Sequence, residues 1–272
     1  YFNIEGEVAA KVDLRALARL DGVVEVARQY GIRLKLCFDH FRTFTPGASW
    51  AVKVLRHPKT GQSPKDIDEW FPSPAWRELW LQKIGHYLAR YGNDPIVMAW
   101  ELWNEINACQ VSWEIPREWT RDMLRHIQPL VPRQMVVNSL GSFDAAYSPP
   151  PHRDFWMDEM SFQQVHRYLD QGADLEICRT DPVALSVDAI QQARRPDRPI
   201  ILAETGAVND CHTGYFRYCR IDYRGTIFHD TTYPAFFAGA AGTGQIWLWT
   251  DYVDSKNLWV GFKPFSDLVA GI

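Results

Sequence analysis

Two glutamates stand directly after strongly apolar segments of the chain. Glu105 follows the run 96–104, and Glu204 follows the run 199–203. A carboxylate at such a place packs poorly and is costly to remove from water, so a chemical use is expected. Cleavage of a glycosidic bond needs one carboxyl that protonates the leaving oxygen and a second that attacks or supports the anomeric carbon. Either glutamate alone could equally be a solvated strand-end residue, and only the pair carries the hypothesis.

The elements that must position these carboxylates are short apolar strands alternating with helices. Fully apolar strands in this alternation predict a parallel sheet covered on both faces. The pattern predicts helices at 14–30, 73–90, 116–127, 181–193 and 233–241, with a last helical piece near Asp267. It predicts six strands, at 32–38, 96–103, 134–140, 160–166, 199–203 and 245–249.

These elements indicate a single α/β domain over residues 1–272, a (β/α)8 TIM barrel. A closed barrel needs eight strands. We therefore expect a barrel that lacks the first two β/α units and is incomplete at its N-terminus. A doubly wound open sheet is the alternative, but the glycines at 239–244 end a helix and precede a strand, the wrong order for a phosphate loop. We interpret those glycines as tight packing and a helix stop.

Composition excludes several classes of partner. The 272 residues carry a net charge of −4 without long runs of Lys or Arg, so neither nucleic acid nor an anionic membrane is expected. No apolar run approaches the roughly 18 residues of a membrane span. The chain has twelve Trp, and rings near loops and strand ends would suit the apolar faces of sugars. Those rings belong to Trp50, Trp70, Trp103, Trp113, Trp247, Trp249 and Trp259.

Five cysteines are an odd number, so a complete disulfide framework is impossible. We expect free thiols, although Cys211 and Cys219 could pair. No metal site is predicted, because Cys211, His212, Cys219 and His229 have none of the tight spacings of zinc ligands.

Active sites of parallel α/β barrels lie at the C-terminal ends of the strands. Besides the glutamates, such positions are held by Asp39, His40, Asn104, Asn138, Ser139, His166, Tyr168, Trp249 and Asp251. Asp39 is expected to be a cap or a salt-bridge partner, and Glu101 a buried partner for a basic residue. Trp247 and Trp249 alternate on the last predicted strand, so one of them should be core.

Three segments resemble the signatures of clan A glycoside hydrolases, nearest to the family 5 cellulase and mannanase group. Trp100-Glu-Leu-Trp-Asn-Glu105 is similar to the strand-four segment whose Asn-Glu pair supplies the acid/base. Pro199-Ile-Ile-Leu-Ala-Glu204-Thr-Gly is similar to the strand-seven segment that carries the nucleophile, and His166-Arg-Tyr168 to the strand-six segment beside it. The likeness runs in order from about Leu14 to Asp267. The strand-two arginine that such enzymes usually carry has no counterpart here.

The resemblance implies a retaining hydrolase of a β-linked glucan or mannan, with Glu105 as acid/base, Glu204 as nucleophile and carboxyls about 5–5.5 Å apart. It implies that Asn104 binds the sugar 2-hydroxyl, that His40 touches the −1 sugar, and that Trp249 floors that subsite. His166 and Tyr168 compete for the place beside Glu204. No cofactor is implied, the partner is an oligo- or polysaccharide, and a secreted or periplasmic location follows by analogy. An inactive or fragmentary barrel that binds carbohydrate is the alternative, and the oligomeric state stays open.

Overall fold

The computed structural model describes residues 3–40, 55–109, 111–144, 159–212 and 214–271. They fall into two compact units. The first comprises Tyr1–Gly141 with Met157–Ser161, and the second comprises Ser142–Trp156 with Phe162–Ile272. The single domain over residues 1–272 stays a prediction.

The first unit is a three-stranded parallel sheet with helices between its strands. Its strands, in sheet order, are β1 (Leu34–His40), β2 (Val97–Asn104) and β3 (Met135–Val137). Its helices are α1 (Leu14–Gln29), α2 (Ile67–Trp70), α3 (Pro74–Tyr91) and α4 (Glu114–Ile127), with short 3-10 turns at Ile106–Cys109 and Gln128–Leu130. The starts of α1 and α3 follow the expected chemistry, because the side chains of Asp13 and Ser73 cap them.

The second unit contains two small parallel sheets. One pairs β4 (Gln163–His166) with β6 (Ile200–Glu204), and the other pairs β5 (Leu169–Asp170) with β7 (Ala207–Val208). Its helices are α5 (Glu176–Thr180), α6 (Pro182–Ala193), α7 (Thr226–Phe237) and α8 (Phe262–Val269). Short 3-10 turns lie at Asp210–His212, Arg217–Arg220 and Leu258–Gly261, and a π-helix at Trp249–Asp254.

The strand order of the first unit favours the barrel type of sheet over the doubly wound alternative. In the first unit, strands that follow each other along the chain are neighbours in the sheet, whereas a doubly wound sheet reverses its order at a switch point. Among the residues that the structure describes, none of the three sheets closes into a barrel.

The prediction of a strand at 245–249 is wrong. Only an isolated parallel bridge forms there, between Thr205 and Ile246. The amide of Trp249 then bonds back to the carbonyl of Trp247 at 2.9 Å, which turns the chain into the π-helix. Both rings are about half exposed, at 52% for Trp247 and 54% for Trp249, so the expectation that one is core is also wrong.

Two other boundaries differ from the expectation. The helix predicted at 233–241 is α7, which begins seven residues earlier at Thr226, and the strand predicted at 134–140 keeps only three residues as β3. The glycine interpretation is confirmed. Gly239 follows α7 with φ 102°, and a Cβ on Gly244 would lie 2.8 Å from the methyl of Thr205. In the described part of the chain, no helix is long and apolar enough to cross a membrane.

Large aromatic side chains fill the core of the first unit. Phe38 of β1 stacks on Trp100 of β2, with ring centroids 5.1 Å apart and planes at 11°. Trp70 and Trp103 are buried and their centroids lie 5.4 Å apart, so they are packing residues. Trp50 lies outside the described residues.

A buried charge cluster joins β1 to α3. Lys83 contacts Asp39 at 2.5 Å and Glu5 at 3.6 Å, and all three side chains are almost fully buried. Burial alone would lower the pKa of the Lys83 ammonium, but the charges of Asp39 and Glu5 outweigh it and the pKa is raised. Burial raises the pKa of Glu5, and the attraction of Lys83 offsets part of that rise. Asp39 is thus a salt-bridge partner, as expected.

Lys83→Met should destabilise the chain by about 3–5 kcal/mol, because it leaves buried carboxylates without their counter-ion. The free energy of unfolding from denaturant titration measures the loss. Lys263→Met is the matched control: its exposed ammonium pairs with Asp267 at 2.8 Å on α8, and its cost should stay within about 0.5 kcal/mol. Equal losses in the two variants would contradict the role of the buried cluster.

Asp222 holds the start of α7. Its carboxylate accepts the amides of Thr226 at 3.0 Å and Ile227 at 2.8 Å, and the hydroxyl of Tyr252 at 2.5 Å. Burial would raise the pKa of Asp222, but these hydrogen bonds outweigh it, the Tyr252 hydroxyl foremost, and the pKa is lowered.

The stabilising effect of Asp222 should depend on pH. With its folded pKa below the unfolded value of about 3.9, the contribution is complete well above that pH and is lost as pH falls through the folded pKa. The difference in unfolding free energy between wild type and Asp222→Asn should therefore be largest near pH 6 and shrink below pH ~4. Asp174→Asn, at an exposed carboxylate, is the control and should change the unfolding free energy by no more than about 0.5 kcal/mol.

Candidate active site

Glu105 lies immediately after β2, in a backbone conformation unusual for its residue type. Its φ is 55°, in the left-handed region that costs a residue other than glycine roughly 1–2 kcal/mol. The amide of Glu105 donates to the buried hydroxyl of Ser139 at 2.9 Å, and its carbonyl accepts the amide of Ala108. Strain of this kind persists where the surroundings over-determine it, and it concentrates at functional sites.

The residues after β3 brace the end of β2. Asn138 accepts the amide of Trp103 at 2.8 Å and donates to the hydroxyl of Thr120 at 2.9 Å. The hydroxyl of Ser139 lies 3.5 Å from the side-chain oxygen of Asn104, a long contact. Asn138 and Ser139 appeared in the sequence only as strand-end positions. Their bracing role was missed because it depends on contacts between residues 34 and 35 positions apart in the chain.

His40 and Asn104 lie side by side in the sheet. They end β1 and β2 and are partners in the parallel register, so the sequence-predicted site residues of this unit share one strand edge. Glu101, inside β2, forms an ion pair with Lys35 of β1 and is nearly fully buried. Its predicted role as a buried partner for a basic residue is confirmed.

Glu204 ends β6 and is partly exposed, with 22% of its side chain accessible. The hydroxyl of Tyr168 donates to Oε2 of Glu204 at 2.5 Å, whereas Nδ1 of His166 lies 3.7 Å from the same oxygen. The sequence left His166 and Tyr168 as competitors for this place. In the structure, Tyr168 forms the hydrogen bond to Glu204, and His166 is a neighbour of that carboxylate within ion-pair distance.

Tyr168 is held by rings on two sides. The rings of His212 and Trp247 meet it edge to face, with centroids at 4.8 Å and 6.5 Å. The tryptophan ring against Tyr168 is therefore that of Trp247, which the sequence predicted only as a ring for sugars or a core residue. Trp249, the predicted floor of the sugar site, lies two residues on at the start of the π-helix.

Three cysteines of the described residues, Cys109, Cys178 and Cys219, are buried. Cys37, Cys109, Cys178 and Cys219 are free thiols, as expected for these four, and the side chain of Cys211 lies outside the described residues. Burial raises the pKa of Cys109 and Cys219 to about 12 and that of Cys178 to about 11. Such thiols stay protonated and are poor metal ligands. Within the same loop region, His212 instead lies 3.5 Å from carboxylate oxygens of both Asp144 and Asp170.

Sequence comparison finds mannanases. The chain is 30% identical to mannan endo-1,4-beta-mannosidase F of Aspergillus fumigatus over 50% of its own length and 30% of that protein. It is 30% identical to mannan endo-1,4-beta-mannosidase 1 of Oryza sativa, over 48% of this chain and 32% of that one. Mannan endo-1,4-beta-mannosidase 5 of Solanum lycopersicum is 24% identical, over 86% of this chain and 62% of the relative. No family model matches.

The chain is similar to clan A glycoside hydrolases of the family 5 type. Its matched region spans between about a quarter and three fifths of the curated mannanases, so the similarity covers part of each relative.

Solved structures show the same type of fold. GH5_18 from Streptomyces cattleya superposes with a TM-score of 0.57 at 17% identity, over 87% of this chain and 57% of that one. The endo-beta-1,4-mannanase from Thermotoga petrophila superposes with a TM-score of 0.51 at 14% identity, over 85% of this chain and 52% of that one. These neighbours are TIM-barrel enzymes, which confirms the α/β barrel type of architecture for this chain without showing a closed barrel in it.

Tyr168→Phe should lower the free energy of unfolding by about 1.5–3 kcal/mol, since a hydrogen bond to a charged group contributes roughly that much. Denaturant titration measures the loss. Tyr252→Phe is the matched control, because it removes a hydroxyl at the same 2.5 Å from a carboxylate, that of Asp222, and should lose a similar amount. Wild-type stability of Tyr168→Phe beside a destabilised Tyr252→Phe would show that the hydroxyl of Tyr168 does not stabilise the carboxylate of Glu204.

Proposed function

We propose that this chain is the catalytic part of a retaining glycoside hydrolase that cleaves β-1,4-linked mannan. Glu204 is the nucleophile and Glu105 the acid/base. The observation that carries the proposal is the hydrogen bond from Tyr168 to Glu204, on the strand where the motif resemblance expects the nucleophile. The mannan specificity rests on the printed activities of the relatives, because neither the motifs nor the geometry distinguishes mannose from glucose.

In the first step, Glu105 donates its proton to the glycosidic oxygen while a carboxylate oxygen of Glu204 attacks the anomeric carbon. The bond to the leaving saccharide breaks, and an ester between sugar and Glu204 forms. The hydroxyl of Tyr168 donates to Oε2 of this carboxylate and orients it toward the anomeric carbon. In the second step, Glu105 takes a proton from water, the water oxygen attacks the anomeric carbon, and Glu204 leaves as a carboxylate.

The other proposed residues bind substrate. Asn104 donates to the sugar 2-hydroxyl, an interaction that strengthens toward the transition state. His40, its neighbour in the sheet, contacts another hydroxyl of the same sugar. Trp249 offers an exposed apolar face to the sugar ring, and His166 lines the site next to the nucleophile. A polymeric mannan lies outside cells, so we infer a secreted or periplasmic location.

Product stereochemistry and two isosteric variants test the mechanism. Wild type should cleave manno-oligosaccharides faster than cello-oligosaccharides, and proton NMR should detect the β-anomer as the first product. Glu204→Gln and Glu105→Gln should each lower kcat by about 10³-fold or more, equivalent to roughly 4 kcal/mol of transition-state stabilisation. Glu118→Gln, at an exposed carboxylate on α4, is the control and should keep the wild-type rate.

Three results would contradict the proposal. An α-anomer as first product would mean inversion, and unimpaired Glu105→Gln or Glu204→Gln would mean that the carboxylates are misassigned. If wild type and Glu204→Gln bind oligosaccharide equally and neither hydrolyses it, the chain is a carbohydrate-binding protein.

A further inference from the structure

A cluster of metal-ligating side chains lies in the second unit. It consists of Asp144, Asp170 and His212, called here the Asp144–Asp170–His212 cluster. Nε2 of His212 lies 3.5 Å from Oδ2 of Asp144 and 3.5 Å from Oδ2 of Asp170. One ligand atom from each residue falls within 4.8 Å of both others.

The main chain fixes each member of the cluster. The carbonyl of Asp144 accepts the amide of Leu175 at 2.9 Å, and Asp170 belongs to β5, which pairs with β7. Oδ1 of Asp170 accepts the amide of Gly172 at 2.8 Å, which directs Oδ2 toward His212. The amide of His212 donates to the carbonyl of Asn209 at 2.9 Å. The three donor atoms therefore converge because of backbone contacts.

The separations fit the edges of a tetrahedral site. Nitrogen and oxygen ligands bonded to zinc at about 2.0–2.2 Å in a tetrahedron lie roughly 3.3–3.6 Å from each other. Both distances from Nε2 to the carboxylates equal 3.5 Å, although a hydrogen-bonded imidazolium would approach a carboxylate to about 2.7–2.9 Å. Nε2 of His212 also lies 3.1 Å from the hydroxyl of Ser142, so an ion bound here would take the place of that hydrogen bond.

Charge favours a dication at this place. Asp170 is 1% exposed, while the side chains of Asp144 and His212 are 23% and 37% exposed, and two carboxylates beside one imidazolium would leave a net negative charge next to the buried Asp170. A divalent ion with two carboxylates and a neutral imidazole is electrically balanced. Arg167, a buried guanidinium of the same unit, is paired with Asp188 at 2.5 Å.

We propose that the Asp144–Asp170–His212 cluster binds one divalent transition-metal ion of the zinc type. Two carboxylate oxygens and Nε2 of His212 are the protein ligands. The ion would tie β5 to the 3-10 turn at Asp210–His212, and so fix the His212 ring against Tyr168. The site is separate from the chemistry proposed for Glu204, since binding can be measured in the absence of any sugar.

Zinc titration of the full chain after chelator treatment tests the proposal. Calorimetry should give saturable binding of one Zn²⁺ per chain, and Co²⁺ in its place should give the visible absorption of a four- or five-coordinate nitrogen and oxygen site. His212→Gln and Asp144→Asn should each weaken binding by more than about 10- to 100-fold, the loss that removal of an outer-shell partner alone causes. Either variant suffices if Asp170→Asn fails to fold.

His229→Gln is the matched control. His229 also lies beside a carboxylate, that of Asp230 at 2.8 Å, but outside the cluster, so this variant should bind zinc as wild type does. Absence of saturable binding in wild type, or equal affinity in His212→Gln and wild type, would overturn the proposal. The cluster would then be an ion pair between an imidazolium and two carboxylates.

Discussion

The parallel pairing of β4 with β6 decides what can surround Glu204. Its register sets His166 opposite Glu204 at the strand ends, and Tyr168 follows two residues later. The backbone of Arg167 continues the pairing, because its amide donates to the carbonyl of Glu204 at 3.0 Å. A shift of this register by one residue would turn the side chains of β4 to the opposite face and remove the hydroxyl from the carboxylate. The hydrogen bond at Glu204 is therefore a consequence of sheet pairing.

Glu105 is positioned by different means in the first unit. Glu105 follows the end of β2 and has a left-handed backbone conformation. Its amide donates to the buried hydroxyl of Ser139. The surrounding contacts stabilise this unfavourable conformation. Among them, the side chain of Asn138 accepts the amide of Trp103, two residues before Glu105. Two carboxylates with the same sequence signal thus have unlike surroundings, one braced through its backbone and one through its side chain. The roles proposed for Glu105 and Glu204, acid/base and nucleophile, require such unlike environments.

How much could be predicted from the sequence depended on whether the signal was local. Apolar runs and caps located β2, β6, α3 and α6 to within a few residues, because burial and capping act on neighbours along the chain. The segment 245–249 carried the same apolar signal but formed one bridge, since Trp247 closes a tight turn with Trp249 and the π-helix follows. The choice between His166 and Tyr168 was beyond the sequence as well. It depends on the 2.5 Å and 3.7 Å separations from Glu204, which only the pairing of two strands determines.

The ring of Tyr168 shows why the region after β6 matters to the proposed chemistry. A phenol can donate to Glu204 along a fixed direction only if its ring cannot tilt, and Tyr168 is 2% exposed with His212 and Trp247 against it. Both of those rings come from the chain beyond β6, on either side of α7. His212 is in turn in contact with Ser142 at 3.1 Å and with Asp144 and Asp170 at 3.5 Å, so an ion at that cluster would act on Glu204 only through the Tyr168 ring. Loss of the ion would then loosen the direction of one hydrogen bond while both carboxylates stay in place.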